Sequence, residues 1–295
     1  MIPDRWLVIS RDVEHDVGTS VATPDEYARE GAPAIVAANS KRAQEAIRSL
    51  EECTKIEFPS AAREFEQLRY SLYDVERRLV VIGHAQNRLK NVALYWLVDP
   101  AACPRSLDWM IKRAVAGGVQ MIQLRDKSSG DLERIERARA VRRWTRDLVV
   151  LLIINDRPDI ARLSDADGVH LGQADLPVRD ARRIVGPDML IGVSTHNIDQ
   201  ARKAVADGAD YLGLGPVFPS HTKSFDQYIG LDGVRQIAER IGLPVFCIGG
   251  ITPSNIRQVV DSGGSRVAVS HCLCAVDDPF PIARELASLL ERRAS

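Results

Sequence analysis

The chain has 295 residues, 45% of them hydrophobic and 27% charged, the make-up of a soluble globular protein large enough for one barrel or two domains. Its 39 basic and 40 acidic residues leave a formal charge of -1, which gives no electrostatic case for nucleic acid or an anionic membrane as partner; an anionic ligand must be held by local groups. The five cysteines show no zinc-like or disulfide-framework spacing and read as reduced thiols.

The opening MIPDRWLVISRDVEHD has neither a basic leader nor a sustained apolar core, and no apolar run approaches bilayer length, so a cytoplasmic protein is expected. Residues 1–38 carry a weak extended signal at Trp6, Leu7, Val8 and Ile9, then a stretch rich in Gly, Pro and Ala. From about residue 40 to 90 the pattern is helical. Asn39 or Ser40 suits the cap of a first helix with Ala43, Ala46, Ile47 and Leu50 on one face and Arg42, Glu45, Arg48 and Glu51 outside. Pro59 and Ser60 break it, and a second helix carries Ala61, Phe65, Leu68, Leu72, Val75 and Leu79 at alternating spacings of four and three. Residues 1–90 are therefore expected to form an extension built on a helical hairpin.

From about residue 91 the rhythm changes. Short apolar runs recur in order: ALYWLVDP, QMIQLRDK, LVVLLIINDR, DGVHLGQ, MLIGVSTH, DYLGLGPV, LPVFCIGG and SRVAVSHC. These are eight strand candidates, most followed by an amphipathic segment. One such segment carries Leu132, Ile135, Ala138 and Val141 on a face, and in another Thr252 caps a helix opening at Pro253. Gly118, Gly168, Gly208, Gly263 and Gly264 stand just before strands, where helices end and the chain turns. Eight βα units over residues 91–295 predict an α/β fold, a parallel (β/α)8 TIM barrel. An open doubly wound sheet is the structural alternative, but no strand is followed by spaced dinucleotide-binding glycines.

In a barrel the chemistry gathers where the strands end. Gln123, Arg125 and Lys127 alternate at the end of the second strand and so project to one side; a merely charged strand end is the bland reading. Asn155 and Asp156 close the third strand and Asp175 follows the fourth. Adjacent parallel strands lie about 5 Å apart, so the two carboxylates can converge, and Mg2+, which takes one or two protein carboxylates and fills its shell with water and phosphate oxygens, is the natural cation between them. Taken singly, each aspartate also suits a helix cap. Ser194, Thr195, His196 and Asn197 follow the fifth strand and Ser220, Thr222 and Lys223 the sixth. Gly249 and Gly250 follow the seventh, and Ser270 and His271 the eighth. Hydroxyls, a lysine and glycine-rich turns suit phosphate. His170, inside an apolar strand, reads as a packed core histidine.

QLRDK, IINDR, GVHLGQADL, GVSTHN, ADYLGLGPVFPSHTK and IGGI, in this order, closely resemble the thiamine phosphate synthase family over residues 91–290. The resemblance implies a transferase of thiamine biosynthesis. It would condense 4-amino-2-methyl-5-hydroxymethylpyrimidine diphosphate with 4-methyl-5-(2-phosphoethyl)thiazole, or its carboxylated form, releasing diphosphate and forming thiamine phosphate. It further implies that Gln123, Leu124, Arg125, Asp126 and Lys127, with Asn155, Ser194 and Lys223, contact the pyrimidine diphosphate, and that Asp156 and Asp175 hold Mg2+. Ser220, His221, Thr222, Gly250, Ser270 and His271 fall where the family holds the thiazole phosphate, and Arg125, Lys127 and Lys223 would stabilise the leaving group.

Two positions depart from the family pattern. His221 stands inside a PTxTK-like turn, and His271 takes the place of the usual second residue of a Val-Ser pair. The helical half is similar to an extension on some bacterial synthases, and docking or homo-oligomerisation is its simplest role. The expected partners are thus small-molecule substrates, with no nucleic acid or membrane. A thiazole tautomerase-like barrel and a noncatalytic binder of thiamine precursors are the alternatives.

Overall fold

The computed structural model describes residues 32–219 and 228–291. The chain divides into two compact units, Met1–Val80 and Val81–Ser295.

In the first unit, α1 (Ala32–Glu57) is followed by α2 (Pro59–Leu89), whose residues from Val81 onward belong to the second unit. Proline cannot continue a helix but is well accommodated in a first turn, so the break falls at Phe58 and Pro59 opens α2. Helix α1 starts at Ala32, upstream of the expected cap, and Asn39 lies inside it, donating from its side chain to the Ile35 carbonyl at 3.0 Å. The expected outer residue Glu51 is instead buried at 3% exposure, paired with Arg69 at 2.9 Å, while Leu50 is exposed. The arginine makes burial of that carboxylate tolerable. Leu68, Val75 and Leu79 of the expected α2 stripe are exposed as well.

The second unit is a closed barrel of eight parallel strands in sequence order, β1 pairing with both β2 and β8. The strands are β1 (Leu94–Val98), β2 (Met121–Leu124), β3 (Leu151–Asn155), β4 (Gly168–Leu171), β5 (Leu190–Thr195), β6 (Tyr211–Leu214), β7 (Val245–Ile248) and β8 (Val267–Val269). Each lies within the run that predicts it. Between them stand α3 (Leu107–Ala116), α4 (Asp131–Asp147), α5 (Pro158–Leu163), α6 (Val178–Val185), α7 (Ile198–Asp207), α8 (Gly230–Arg240) and α9 (Ile256–Asp261), with α10 (His271–Cys274) and α11 (Phe280–Glu291) closing the chain.

Alternation along each strand divides the core in two. Leu94, Trp96, Ile122, Leu152, Ile154, Val169, Ile191 and Leu212 pack outward against the helices. Tyr95, Met121, Ile153, Leu190, Tyr211, Phe246 and Ala268 fill the barrel, closed off by Ala85 and Leu89 at the end of α2.

Some local expectations are corrected. Helix α9 opens at Ile256 and not Pro253, because Asn255 takes the Thr252 N–H at 2.9 Å and both Asn255 and Ile256 bond back to the Thr252 carbonyl. Leu132 is exposed while Ala138 and Val141 of the same helix are buried. Gly208 ends α7 in the left-handed conformation, as expected, but Gly168 is the first residue of β4, where a Cβ would lie 2.5 Å from the Leu190 carbonyl oxygen. All five cysteines are free thiols.

Candidate active site

Parallel strands in a barrel all deliver their last residues to one rim. At β2 the alternation separates the segment 123–127 into two groups. Gln123 points into the barrel and is 1% exposed. Arg125 reaches Asp99, just beyond β1, at 3.6 Å, and Lys127 reaches Asp156, just beyond β3, at 3.2 Å. The intervening residues turn away. Leu124 packs in the outer core, and Asp126, 7% exposed, is ion-paired to Arg137 of α4 and accepts the Ser129 N–H at 3.1 Å. Burial alone would raise the Asp126 carboxyl; its bonds to Ser129 and Arg137 outweigh this and hold it below the usual range.

Asp156 adopts φ 62°, a left-handed backbone rare for a residue with a side chain. Its N–H is fixed on the His170 carbonyl of the neighbouring strand at 2.8 Å. The turn places its carboxylate beside that of Asp175. Asp175 accepts the Gly172 N–H at 2.6 Å, yet its carboxyl is raised, first by burial and then by hydrogen bonding and charge from Asp156, with Lys127 opposing. Two like charges held together in this way favour a cation between them. Among the described residues no group of three or more His, Cys, Asp or Glu could hold a metal. The protein would thus contribute two carboxylates, a donor set that fits Mg2+ with water and phosphate oxygens in its other positions better than an all-protein cage.

Asn155 is half-buried at the end of β3, and Ser194 half-buried near the end of β5. Ser194 bonds through its Oγ to His170 Nε2 at 3.0 Å, and His170 Nδ1 lies 3.2 Å from the Tyr211 hydroxyl. Burial lowers the imidazole to about 4 despite the opposing charge of Asp156, which agrees with a core histidine and not an acid or base. Gly250, with φ 63°, is held by the Asn255 amide donating to its carbonyl at 2.8 Å. A Cβ there would meet the Pro219 carbonyl oxygen at 2.3 Å. The Ser270 hydroxyl donates to the Leu97 carbonyl at 2.9 Å, and the exposed His271 opens α10. Ser220, His221, Thr222 and Lys223 lie outside the described residues.

The rim therefore joins Arg125, Lys127, Asp156 and Asp175 from three neighbouring strand ends. Sequence reading missed Asp99, the partner of Arg125, and the polar role of Tyr95 and Tyr211. The available signal for the tyrosines was a phenol at an inward position, since a buried hydroxyl needs a partner.

A family profile described as thiamine monophosphate synthase matches residues 94–273, and one described as the ThiD2 family matches residues 3–78. The thiamine-phosphate synthase of a Nostoc species is 40% identical over 287 residues, 97% of this chain and 80% of that protein. That of Rhodopirellula baltica is 41% identical over 304 residues, 98% of this chain and 80% of the other. Among solved structures, thiamine phosphate pyrophosphorylase from Pyrococcus furiosus is 35% identical and superposes with a TM-score of 0.65 over 70% of this chain and 100% of its own.

Proposed function

The chain belongs to the thiamine monophosphate synthase family, and from that premise we propose how its barrel mouth carries out thiamine-phosphate synthesis. The substrates on this reading are an aminopyrimidine methyl diphosphate and a thiazole phosphate, and the leaving group is diphosphate. Arg125 and Lys127 bind the diphosphate oxygens, together with Lys223. Gln123, Asn155 and Ser194 hold the pyrimidine-bearing substrate, with Leu124 and Asp126 contributing through backbone only, since their side chains face the helices. The thiazole phosphate lies against Gly250, Ser270, His271 and the segment Ser220, His221, Thr222. Ser270 acts there through its N–H, its hydroxyl being committed to Leu97.

Asp156 and Asp175 hold Mg2+, which when bound supplies positive charge to the departing diphosphate. The electron-rich pyrimidine supports a dissociative departure, so charge stabilisation on the leaving oxygens matters more than a general base. Cations fixed before the reaction provide it without reorganisation. Lys127, which pairs with Asp156 at 3.2 Å and is half exposed, exchanges that carboxylate for a phosphate oxygen on this reading.

The observation that carries this reading is the Asp156 and Asp175 pair, brought together from adjacent strands with Lys127 against it. The test mixes the purified full chain with both substrates and Mg2+ and measures thiamine phosphate. Asp156→Ala and Asp175→Ala are each expected to lower turnover on the order of 100-fold or more, as loss of a preorganised charge-stabilising element does, and to weaken Mg2+ binding measured by calorimetry. Unchanged rates would remove the metal assignment, and absent product would favour the tautomerase-like or binding-protein alternatives. Residues 1–90 are read as an extension to the catalytic barrel of 91–295.

A further inference from the structure

Tyr95, Tyr211 and His170 have no part in the reaction as described above, yet they join two residues that do, Gln123 and Ser194. Five polar side chains from five strands form an unbroken chain through the barrel. Gln123 donates from Nε2 to the Tyr95 hydroxyl at 2.5 Å, and the Tyr95 and Tyr211 hydroxyls lie 3.2 Å apart. Tyr211 reaches His170 Nδ1 at 3.2 Å, and His170 Nε2 reaches the Ser194 hydroxyl at 3.0 Å. Gln123 is 1% exposed, Tyr95 1%, Tyr211 0% and His170 8%. The strands are shaped to admit this chain. A Cβ on Gly192 would come within 2.1 Å of the Tyr211 ring and 2.5 Å of His170 Nδ1, and one on Gly213 within 3.1 Å of His170 Cε1.

Proton counting gives the chain a direction. A phenol has one proton to donate. Tyr95 accepts from the Gln123 amide, and among the described residues the acceptor left for its own buried proton is the Tyr211 hydroxyl. Tyr211, having accepted, donates to His170 Nδ1. A neutral imidazole that accepts at Nδ1 carries its proton on Nε2 and donates it to Ser194 Oγ. The Ser194 hydroxyl proton is then left to point onward into the mouth. If the amide faced the other way, every link would reverse, and Ser194 would turn its proton inward to His170. The direction is thus set by the Gln123 amide, whose Nε2 faces Tyr95 while its Oε1 is buried without a partner.

We propose that Tyr95, Tyr211 and His170 are positioning residues: a buried relay that fixes His170 in its Nε2–H tautomer and thereby presents Ser194 Oγ as a hydrogen-bond donor to an acceptor atom of the diphosphate-bearing substrate. The proposal rests on the reading of the mouth given above, in which Ser194 contacts that substrate. None of the three residues needs to touch it.

Two measurements on the full chain test this. The first is 15N NMR of histidine-labelled protein at neutral pH, with the His170 signals identified by their loss in His170→Asn or, if that variant does not fold, by their shift in Ser194→Ala. The Nε2–H tautomer is expected; a ring protonated on Nδ1, or on both nitrogens, overturns the proposal. The second is a double-mutant cycle. Tyr211→Phe and Ser194→Ala are each expected to lower kcat/KM for the pyrimidine diphosphate on the order of tenfold, the worth of one hydrogen bond to a charged acceptor, while KM for the thiazole phosphate stays within about twofold. The double variant should be no worse than the weaker single, since both remove one donor. Effects that multiply to about a hundredfold overturn the relay while leaving the site assignment standing. A silent Ser194→Ala overturns the site assignment itself and the proposal with it. Should Tyr211→Phe fail to fold, Tyr95→Phe cuts the same chain one link earlier and replaces it.

Discussion

Replacing Gly192 by alanine adds one methyl group to the barrel interior between the Tyr211 and His170 rings. The new Cβ would lie 2.1 Å from Tyr211 Cζ and 2.5 Å from both Tyr211 Cε2 and His170 Nδ1. Against an ordinary contact of 3.4 Å, the Tyr211 ring must retreat by about 1.3 Å. It has little room to do so, because it packs edge-on against Tyr95 and Phe246 with centroids 6.2 and 5.6 Å away. A displacement of that size also lengthens the 3.2 Å link between Tyr211 and His170 beyond hydrogen-bond range. Overpacking of this kind costs about 1–3 kcal/mol, or roughly 2–12 °C in Tm at about 2–4 °C per kcal/mol for a domain of this size. Thermal melting followed by circular dichroism, with thiamine phosphate formation measured well below Tm, is the assay. Gly192→Ala should lose both stability and kcat/KM. Gly208→Ala serves as its control: nothing lies within 4 Å of a Cβ there, but φ is 91°, so about 1 kcal/mol of stability is lost with activity unchanged. A Gly192→Ala protein with wild-type Tm and kcat/KM would refute the packing argument.

Asp210 lies at the other end of the barrel, buried at 3%, accepting the Ile191 N–H at 2.6 Å and pairing with Arg182 at 2.6 Å; Asp210→Ala takes the acceptor from a buried N–H, while the half-buried Arg182 keeps its bonds to the Gly186, Pro187 and Met189 carbonyls, and should cost about 1–3 kcal/mol by urea unfolding, with kcat of the folded fraction unchanged. Asp175 holds its proton more tightly folded than unfolded, because burial and Asp156 raise it from the ordinary 3.8. Its ionised form therefore costs stability, fully above the folded pKa, and the cost fades as pH falls through that value towards 3.8. Asp175→Asn should accordingly raise the Tm of metal-free protein at pH 7, by an amount that shrinks on acidification; a rise independent of pH would contradict this, and added Mg2+ should stabilise the wild type but not the variant.

The barrel was legible because each strand is a short apolar run ended by polar or glycine residues, and because alternate residues had to face a filled interior and a layer of helices. The carboxylate pair followed from the same logic: once Asp156 and Asp175 are placed at neighbouring strand ends, their approach is geometric. The hairpin resisted. In the hairpin, helical periodicity identified a stripe but could not foresee that Glu51 would be buried against Arg69 while Leu50 faced outward, since an ion pair between helices leaves no mark on either helix alone. In the segment 123–127 the alternation was legible: it sets Gln123, Arg125 and Lys127 apart, and the two residues that the resemblance had joined to them, Leu124 and Asp126, turn to the helices.

The buried chain resisted for a different reason: its links join β2 to β1, β1 to β6, β6 to β4 and β4 to β5, and two of these pairs are not neighbours in the sheet. No local pattern records a contact across a barrel. The tyrosines make it possible because each belongs to two environments. Their rings lie in the apolar cluster with Phe246, while their hydroxyls, kept protonated by burial, connect Gln123 to His170. A hydroxyl in that position must find a partner, as an unpaired one would be costly, and the inward-facing Gly192 and Gly213 leave the space in which the partner is a histidine. Packing and polarity are therefore carried by different atoms of the same side chain, and a phenylalanine in place of either tyrosine separates them: it keeps the ring that stabilises the barrel and removes the single oxygen through which the direction of hydrogen bonding reaches Ser194.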